Sequence, residues 1–174
     1  MKNQPLMATD DAVRLIRLLN DHHIEVIIDG GWAVDALLGR QTRPHEDLDI
    51  AMPHQYVPQL RELLESHGYM EVPLSDSWEC NFVMGDEQGH RVDIHTYSFD
   101  EHGELVFGLP YPPDSLDGHG VINGYALRCI SPEWLIRFHT GYPLDENDYH
   151  DVQALCHQFG FELPREFEKF KQGG

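Results

Sequence analysis

Two aspartates separated by one residue are the strongest chemical feature of the sequence. Asp47 and Asp49 flank Leu48, and Ile50 follows. In a β-strand, residues i and i+2 point to the same face, so both carboxylates are expected on one face and both apolar side chains in the core. Neighbouring carboxylates repel each other, and a bound cation relieves that repulsion. Oxygen ligands favour a hard cation such as Mg²⁺ over Zn²⁺.

A third carboxylate is expected beside this pair. In the segment Arg91–Tyr97, Val92 and Ile94 alternate with Asp93 and His95, which predicts a half-buried strand with one polar face. If this strand lies next to the first, Asp93 completes a cluster that can hold two metal ions, one on a nucleotide's phosphates and one on an attacking hydroxyl. Asp93 is also the candidate base for that hydroxyl's proton.

Two glycines upstream indicate a corner that can bind an anion. The sequence predicts a buried strand over Val26–Ile28, a break at Gly30 and Gly31, and a helix over Trp32–Leu38. Such a corner directs free N–H groups and the positive end of the helix dipole at whatever lies there. Together with two arginines downstream, Arg40 and Arg43, and with the carboxylates, this corner suits phosphate and metal chemistry.

Together these motifs resemble the antibiotic nucleotidyltransferases, a branch of the polymerase-β-type nucleotidyltransferase superfamily. The resemblance is carried by GGWAVDALLGRQTRPHEDLDI, residues 30–50, and it covers most of the chain. The later segments DIHTY and CISPEW…FHTGYPLDENDYHDV are more similar to the lincosamide enzymes than to the aminoglycoside 2″-adenylyltransferases. The resemblance implies an α/β (α+β) nucleotidyltransferase fold with a mixed β-sheet, flanking helices and a small C-terminal helical layer.

The resemblance also implies a reaction: Mg²⁺-dependent transfer of a nucleotidyl group, in particular adenylyl, from ATP or another NTP to an antibiotic hydroxyl, with release of pyrophosphate. Two Mg²⁺ ions would be held by Asp47, Asp49 and Asp93. The triphosphate would be contacted or ordered by Gly30, Gly31, Arg40 and Arg43. The chain departs from the superfamily pattern because it has no lysine between Lys2 and Lys169.

Other residues are expected to complete the site. Glu79, placed on a predicted strand over residues 79–85, is a candidate for activating the hydroxyl, by similarity to the lincosamide enzymes. Asp148 and Asp151 share a helical face and could attract a basic substrate. The loop 109–120, with Tyr111, is a candidate wall of the substrate pocket. His45 is expected to order the loop or a carboxylate without binding the metal.

Composition limits the substrate class. The formal charge is −18 with three lysines, a surface that repels nucleic acid and suits a small cationic molecule. Among such molecules, the resemblance of the later segments to the lincosamide enzymes makes a lincosamide the favoured acceptor. An aminoglycoside, a protein target of the toxin–antitoxin type and a non-enzymatic binding domain on the same fold remain alternatives, and a homodimer is left open.

Length and cysteine usage bound the organisation of the chain. The 174 residues fit one domain, 1–174, with a catalytic α/β core over 1–130 and C-terminal helices over 131–174. Cys80, Cys129 and Cys156 form no C-x-x-C motif, which favours a reduced, cytoplasmic protein. No apolar run approaches transmembrane length, so no membrane partner is expected. The twelve histidines lack zinc-site spacing.

Turn and capping residues predict the remaining elements. Thr9 is expected to cap a first helix, and a helix is expected over 54–67. The turn DEQG predicts a hairpin between ECNFVMG and HRVDIHTY, and Asn123-Gly124 predicts another. Ser131-Pro132 and Asp145 are expected to begin two C-terminal helices.

Overall fold

The computed structural model describes residues 7–140 and 142–171. Its centre is an eight-stranded mixed sheet in the order β3-β4-β5-β2-β1-β8-β7, with β6 paired to β5. The strands are β1 Ile27–Asp29, β2 Leu48–Pro53, β3 Met70–Val72, β4 Asn81–Gly85, β5 Arg91–Phe99, β6 Leu105–Gly108, β7 Gly118–Ile122 and β8 Tyr125–Cys129. The helices are α1 Thr9–Asp21, α2 Gly30–Leu38, α3 Val57–Ser66, α4 Pro132–Phe138, α5 Glu146–Phe159 and α6 Glu168–Lys171. The predicted α/β fold with a mixed sheet is confirmed.

The central strands are held together by buried apolar residues. β1 runs antiparallel to β2, and β2 runs parallel to β5. Six apolar residues on these strands are buried: Ile27, Ile28, Leu48, Ile50, Val92 and Ile94. Burying an aliphatic side chain of this size contributes about 1.5–3 kcal/mol. This packing fixes the register of the strands, and with it the positions of the polar residues between them.

Helix α2 begins earlier than the sequence predicted. Asp29 is its N-cap residue and accepts a hydrogen bond from the Gly30 N–H at 2.8 Å, so the two glycines form the first turn and not a separate break. Gly30 has a φ of 62°, a left-handed conformation that a residue with a side chain rarely adopts. The helix ends at Gly39, also left-handed, as predicted.

The C-terminal helices form the predicted layer, in which α4 and α5 pack against each other and against α2. Asp145 caps α5 in a reciprocal capping box with Asp148, as its sequence position indicated. Pro132 is the first residue of α4, as predicted, but the Ser131 side chain makes no capping hydrogen bond. Both hairpins are also confirmed, β4 with β5 and β7 with β8.

Some local predictions differ from the structure. Thr9 is the first residue of α1 and not its cap, and its hydroxyl donates to Gln41 Oε1 at 2.7 Å. The helix predicted over 54–67 is confirmed by α3, Val57–Ser66, but its first three residues, His54–Tyr56, form a 3₁₀ turn. The predicted loop 109–120 contains a 3₁₀ turn over Pro113–Leu116, and its last three residues belong to β7.

Some predictions fall on residues that the structure does not describe. Residues 1–6, which include Lys2, and residues 172–174 of the predicted domain lie outside the described ranges. Gly141, in the segment FHTGYPLDENDYHDV that resembles the lincosamide enzymes, also lies outside them. All three cysteines are free and buried. Among the helices of the described residues, none combines the length and the apolar character that a membrane crossing requires.

Candidate active site

Three aspartates stand in a row across the central strands. Asp29 of β1 is in register with Asp49 of β2, and Asp49 is in register with Asp93 of β5. Residues opposite each other on adjacent strands point to the same face, with strands about 5 Å apart. Asp47 lies one residue before β2 and two before Asp49. The strand pairing therefore brings the predicted carboxylates to one place and adds Asp29, which the sequence analysis missed.

A histidine completes a group that could hold a metal ion. One ligand atom from each of Asp49, Asp93 and His95 lies within 4.8 Å of the others. His95 Nε2 is 3.3 Å from Asp93 Oδ1, and the two residues share a face of β5 because they are two positions apart. Two carboxylates and one imidazole are a donor set that divalent cations accept.

Crowding of negative charge raises the pKa values in this row. Burial raises the pKa of Asp49 well above its usual range, and the charges of Asp47, Asp29 and Asp93 raise it further. Burial and the charge of Asp93 raise the pKa of Asp47. Burial lowers the pKa of His95, but its hydrogen bond to Asp93 and the nearby negative charges outweigh this, so the pKa is raised. A bound cation would relieve the repulsion behind these shifts.

The start of α2 packs tightly against the carboxylates. A Cβ atom at Gly30 would lie 2.9 Å from Asp49 Cγ, and one at Gly31 would lie 2.5 Å from His45 Nδ1. Only glycine therefore fits at either position with its neighbours unmoved. The backbone at the positive end of a nine-residue helix is thus directly beside Asp49.

Arg43 connects the loop before β2 to α5. Its Nε and Nη2 donate to the two carboxylate oxygens of Asp151 at 3.0 and 2.8 Å, and Asp151 is buried. The hydrogen bond to Asp151 raises the pKa of Arg43 although burial opposes it. Asp151 is therefore an internal partner and does not form a substrate-facing acidic surface. The predicted contact of Arg43 with a triphosphate stays a prediction.

His45 holds the same loop from its other side. Its Nε2 is 2.5 Å from Asp35 Oδ2, and its ring centre is 4.5 Å from that of Trp32. Asp35 also accepts a hydrogen bond from the Thr42 hydroxyl at 2.5 Å. These contacts place His45 between α2 and the loop that leads to Asp47, where an ordering role was expected.

The other predicted site residues are Arg40, Glu79 and Asp148. Arg40 is exposed beyond the C-terminal end of α2, and a nine-residue helix separates it from the glycines by about 13 Å. Glu79 is exposed in a tight turn between Trp78 and Asn81, because β4 begins only at Asn81, so its placement on a strand was wrong. Asp148 is used in the capping box and accepts a hydrogen bond from the Tyr142 hydroxyl at 3.0 Å. The predicted roles of Arg40 and Glu79 stay predictions.

Tyr111 does reach the site, through a partner that the sequence did not indicate. Its hydroxyl donates to Asp29 Oδ2 at 2.7 Å. Burial raises the pKa of Tyr111 far above its usual range, and the charge of Asp29 adds to the shift. Asp29 and Tyr111 line a cavity of about 300 Å³ together with His95 and Phe138. The only signal for Asp29 in the sequence was its position directly before the two glycines.

Comparison with known proteins supports the resemblance to the antibiotic nucleotidyltransferases. The family description "Aminoglycoside-2″-adenylyltransferase" matches residues 12–155. A lincosamide resistance protein of Staphylococcus haemolyticus is 32% identical over 134 residues, which cover 74% of this chain and 81% of that protein. A 2″-aminoglycoside nucleotidyltransferase of Klebsiella pneumoniae is 27% identical over 125 residues, covering 71% of this chain and 67% of that protein.

Solved structures agree on the fold. The lincomycin-bound lincosamide antibiotic adenylyltransferase LnuA superposes with a TM-score of 0.75 at 25% identity, covering 86% of this chain and 97% of that one. ANT(2″)-Ia, solved with adenylyl-2″-tobramycin, gives a TM-score of 0.70 at 22% identity, covering 87% and 89% of the two chains. The chain therefore belongs to the aminoglycoside-2″-adenylyltransferase family of antibiotic nucleotidyltransferases.

Proposed function

We propose that this protein transfers a nucleotidyl group, in particular adenylyl, from ATP or another NTP to a hydroxyl of a small antibiotic, with a lincosamide as the favoured acceptor. The acceptor oxygen forms a bond to the α-phosphorus, and the bond between that phosphorus and the bridging α–β oxygen breaks. Pyrophosphate leaves with the electron pair, and the hydroxyl proton passes to Asp93. The aligned carboxylates of Asp49 and Asp93, directly beside the first turn of α2, are the observation that carries the proposal.

The carboxylates suit a hard divalent cation, and we assign them to Mg²⁺. Asp47, Asp49 and Asp93 would hold two ions, which would neutralise the phosphates and make the acceptor hydroxyl easier to deprotonate. The raised pKa values of Asp47 and Asp49 fit this assignment, because metal binding would displace the protons that crowding retains.

The backbone of Gly30 and Gly31 would bind phosphate oxygens at the positive end of α2. Arg43 is engaged by Asp151, so its first task is to fix the loop before Asp47. With no lysine between Lys2 and Lys169, charge neutralisation at the triphosphate would depend on the metal, with Arg40 and Arg43 as the predicted arginine contacts.

Two observations favour a lincosamide over an aminoglycoside. The lincosamide resistance protein is the more similar of the two curated relatives, at 32% against 27% identity. The lincomycin-bound structure also gives the higher TM-score, 0.75 against 0.70. An aminoglycoside acceptor is the second candidate, because the matched family description carries that name. The net charge of −18 suits either cationic drug and opposes binding to nucleic acid.

Residues 1–174 would act as one catalytic domain, with the α/β core over 1–130 and the helices over 131–174. The packing of α4 and α5 on α2 supports this organisation.

The function is tested by incubating the protein with Mg²⁺ and either ATP or GTP, together with a panel of lincosamides and aminoglycosides. Mass spectrometry then shows which molecule gains a nucleotide. We expect nucleotidylated lincomycin. A nucleotide on kanamycin with lincomycin unchanged would select the second candidate. No product with either class, together with a nucleotide on a protein substrate, would overturn the antibiotic assignment.

A further inference from the structure

A small cavity adjoins the row of aspartates on the side of β1 and α4. Its volume is about 300 Å³, and it is lined by Asp29, His95, Leu109, Pro110, Tyr111 and Phe138. Asp29 is the carboxylate in register with Asp49, and His95 is the residue in contact with Asp93. A molecule in this cavity would therefore lie directly beside the group proposed to accept the hydroxyl proton.

Asp29 is held rigidly, but by neutral partners. One oxygen accepts the Gly30 N–H at 2.8 Å and the other accepts the Tyr111 hydroxyl at 2.7 Å. Among residues 7–140 and 142–171, no arginine, lysine or histidine forms a salt bridge with Asp29, whereas Asp151 is paired with Arg43. The negative charge of Asp29 thus remains available to a ligand, and this charge adds to burial in raising the pKa of Cys129 to about 12.

Tyr111 is itself fixed by aromatic neighbours. Its ring centre lies 5.8 Å from those of Tyr97 and Phe138, both in edge-on arrangements. These contacts position the hydroxyl that orients the Asp29 carboxylate. A rigid carboxylate loses little conformational freedom when a ligand binds, which favours specific recognition of a charged group.

The remaining wall is mainly apolar, with one further polar atom. Leu109, Pro110 and Phe138 supply apolar and aromatic surface. In the part of the chain that the structure describes, the buried Nδ1 atom of His95 has no hydrogen-bond partner. A ligand with one positive charge, an apolar body and hydroxyl groups matches this lining. A ligand with several ammonium groups would find one carboxylate where it needs more.

We propose that the Asp29–Tyr111 pair recognises the single positive charge of the acceptor and thereby orients its hydroxyl towards Asp93. The assignment rests on the proposed function and narrows it to acceptors with one basic nitrogen on an apolar body. It replaces Asp148 and Asp151 as the acidic recognition element, because both of those carboxylates accept hydrogen bonds from within the protein.

Two other roles for Asp29 must be separated from this one. As the N-cap of α2 it could be purely structural, but the Oδ1 of an asparagine still accepts the Gly30 N–H, and its Nδ2 then donates to the Tyr111 hydroxyl oxygen. As a metal ligand it would affect Mg²⁺ binding, although it is not part of the group whose ligand atoms lie within 4.8 Å of one another. Asp29→Asn therefore removes the charge while keeping the helix cap and a hydrogen bond with Tyr111 whose direction is reversed.

The test measures kcat and KM in three proteins: wild type, Asp29→Asn and Tyr111→Phe. The acceptors are lincomycin and a lincosamide analogue whose basic nitrogen is part of an amide and therefore uncharged. We expect Asp29→Asn to lower kcat/KM for lincomycin by roughly 10- to 100-fold, the effect of losing one hydrogen bond to a charged group. The uncharged analogue should lose little, and the KM for ATP and the affinity for Mg²⁺ should stay near the wild-type values. Tyr111→Phe should give a smaller loss, about 2- to 10-fold.

The matched control is Asp114→Asn, which removes the same charge from an exposed position in the neighbouring segment and should leave kcat/KM for lincomycin unchanged. An equal loss for charged and uncharged acceptors would overturn the proposal, as would a drop in Mg²⁺ affinity or full activity in Asp29→Asn. A wild type that modifies kanamycin but not lincomycin would overturn it while nucleotidyl transfer stands. A wild type that modifies neither drug class would instead refute the proposed function.

Discussion

Arg43 and Asp151, 108 positions apart, are joined by two parallel hydrogen bonds of 3.0 and 2.8 Å. Arg43 precedes Asp47 by four residues, and Asp151 lies in the middle of α5. The pair therefore ties the C-terminal helical layer to the loop that carries a proposed metal ligand. His139 Nε2 lies 3.9 Å from Asp151 Oδ2, the oxygen that also accepts from Arg43 Nη2.

Breaking this pair should destabilise the fold. Asp151→Ala leaves the Arg43 guanidinium without its partner, and loss of one member of a buried pair is worth about 3–5 kcal/mol. Because 23% of the Arg43 side chain is exposed, we expect a loss of about 2–4 kcal/mol in the free energy of unfolding, measured by urea denaturation. The exposed pair Arg61–Glu71 supplies the control, since Glu71→Gln should change stability by less than about 1 kcal/mol. Equal losses of unfolding free energy in the two variants would contradict a stabilising role of the Arg43–Asp151 pair.

Gly30 should not tolerate a side chain. Gly30→Ala would place a methyl group against the Asp49 carboxylate at a φ of 62°, so we expect loss of most transferase activity together with reduced stability. Gly103→Ala is the matched control, because Gly103 has a φ of 77° but open space around it. It should lose only about 1 kcal/mol of stability and no activity. Similar activity in the two variants would show that the contact with Asp49 does not matter.

His45→Gln should act on the loop and not on the metal. The substitution removes the ring that packs on Trp32 and weakens the contact with Asp35, both of which are buried. We expect a stability loss of about 1–3 kcal/mol and lower activity, with Mg²⁺ affinity by calorimetry within a few-fold of wild type. Stoichiometric zinc in the purified wild-type protein, lost in the variant, would instead identify His45 as a ligand.

Asp49→Asn should stabilise the metal-free protein at neutral pH while abolishing activity. Burial and the neighbouring aspartates raise the pKa of Asp49 in the folded state, so between the unfolded pKa of about 3.9 and the folded pKa the folded state binds more protons. Stability therefore falls as pH rises through this window. The amide in Asp49→Asn does not titrate, so the variant does not lose this stability as the pH rises.

At pH 7 we expect the variant to have the higher free energy of unfolding, with the difference shrinking towards zero near pH 4. Added Mg²⁺ should raise the Tm of the wild type but not that of the variant. A variant that is less stable than the wild type at pH 7 without metal would contradict the assigned charge crowding.

The sequence predicted what depends on local periodicity. Asp49 and Asp93 could be placed because each lies in a strand whose apolar neighbours alternate with it. Asp29 was missed because its position beside Asp49 depends on the register between two strands, which no local pattern encodes. Asp151 was expected to face a substrate because helix periodicity does not reveal that a distant arginine packs on the same face. Glu79 was placed on a strand because the tight turn ahead of β4 has no glycine or proline to mark it.

The most direct test of nucleotidyl transfer is pyrophosphate release from ATP and Mg²⁺, measured with and without lincomycin in the wild type, Asp49→Asn and Asp93→Asn. We expect release by the wild type that requires lincomycin and matches the amount of nucleotidylated drug, with most of it lost in both variants while each remains folded by circular dichroism. Lincomycin-dependent release at the wild-type rate in either folded variant would contradict the account of the site. Absence of lincomycin-dependent release in the wild type would contradict transfer to the favoured acceptor.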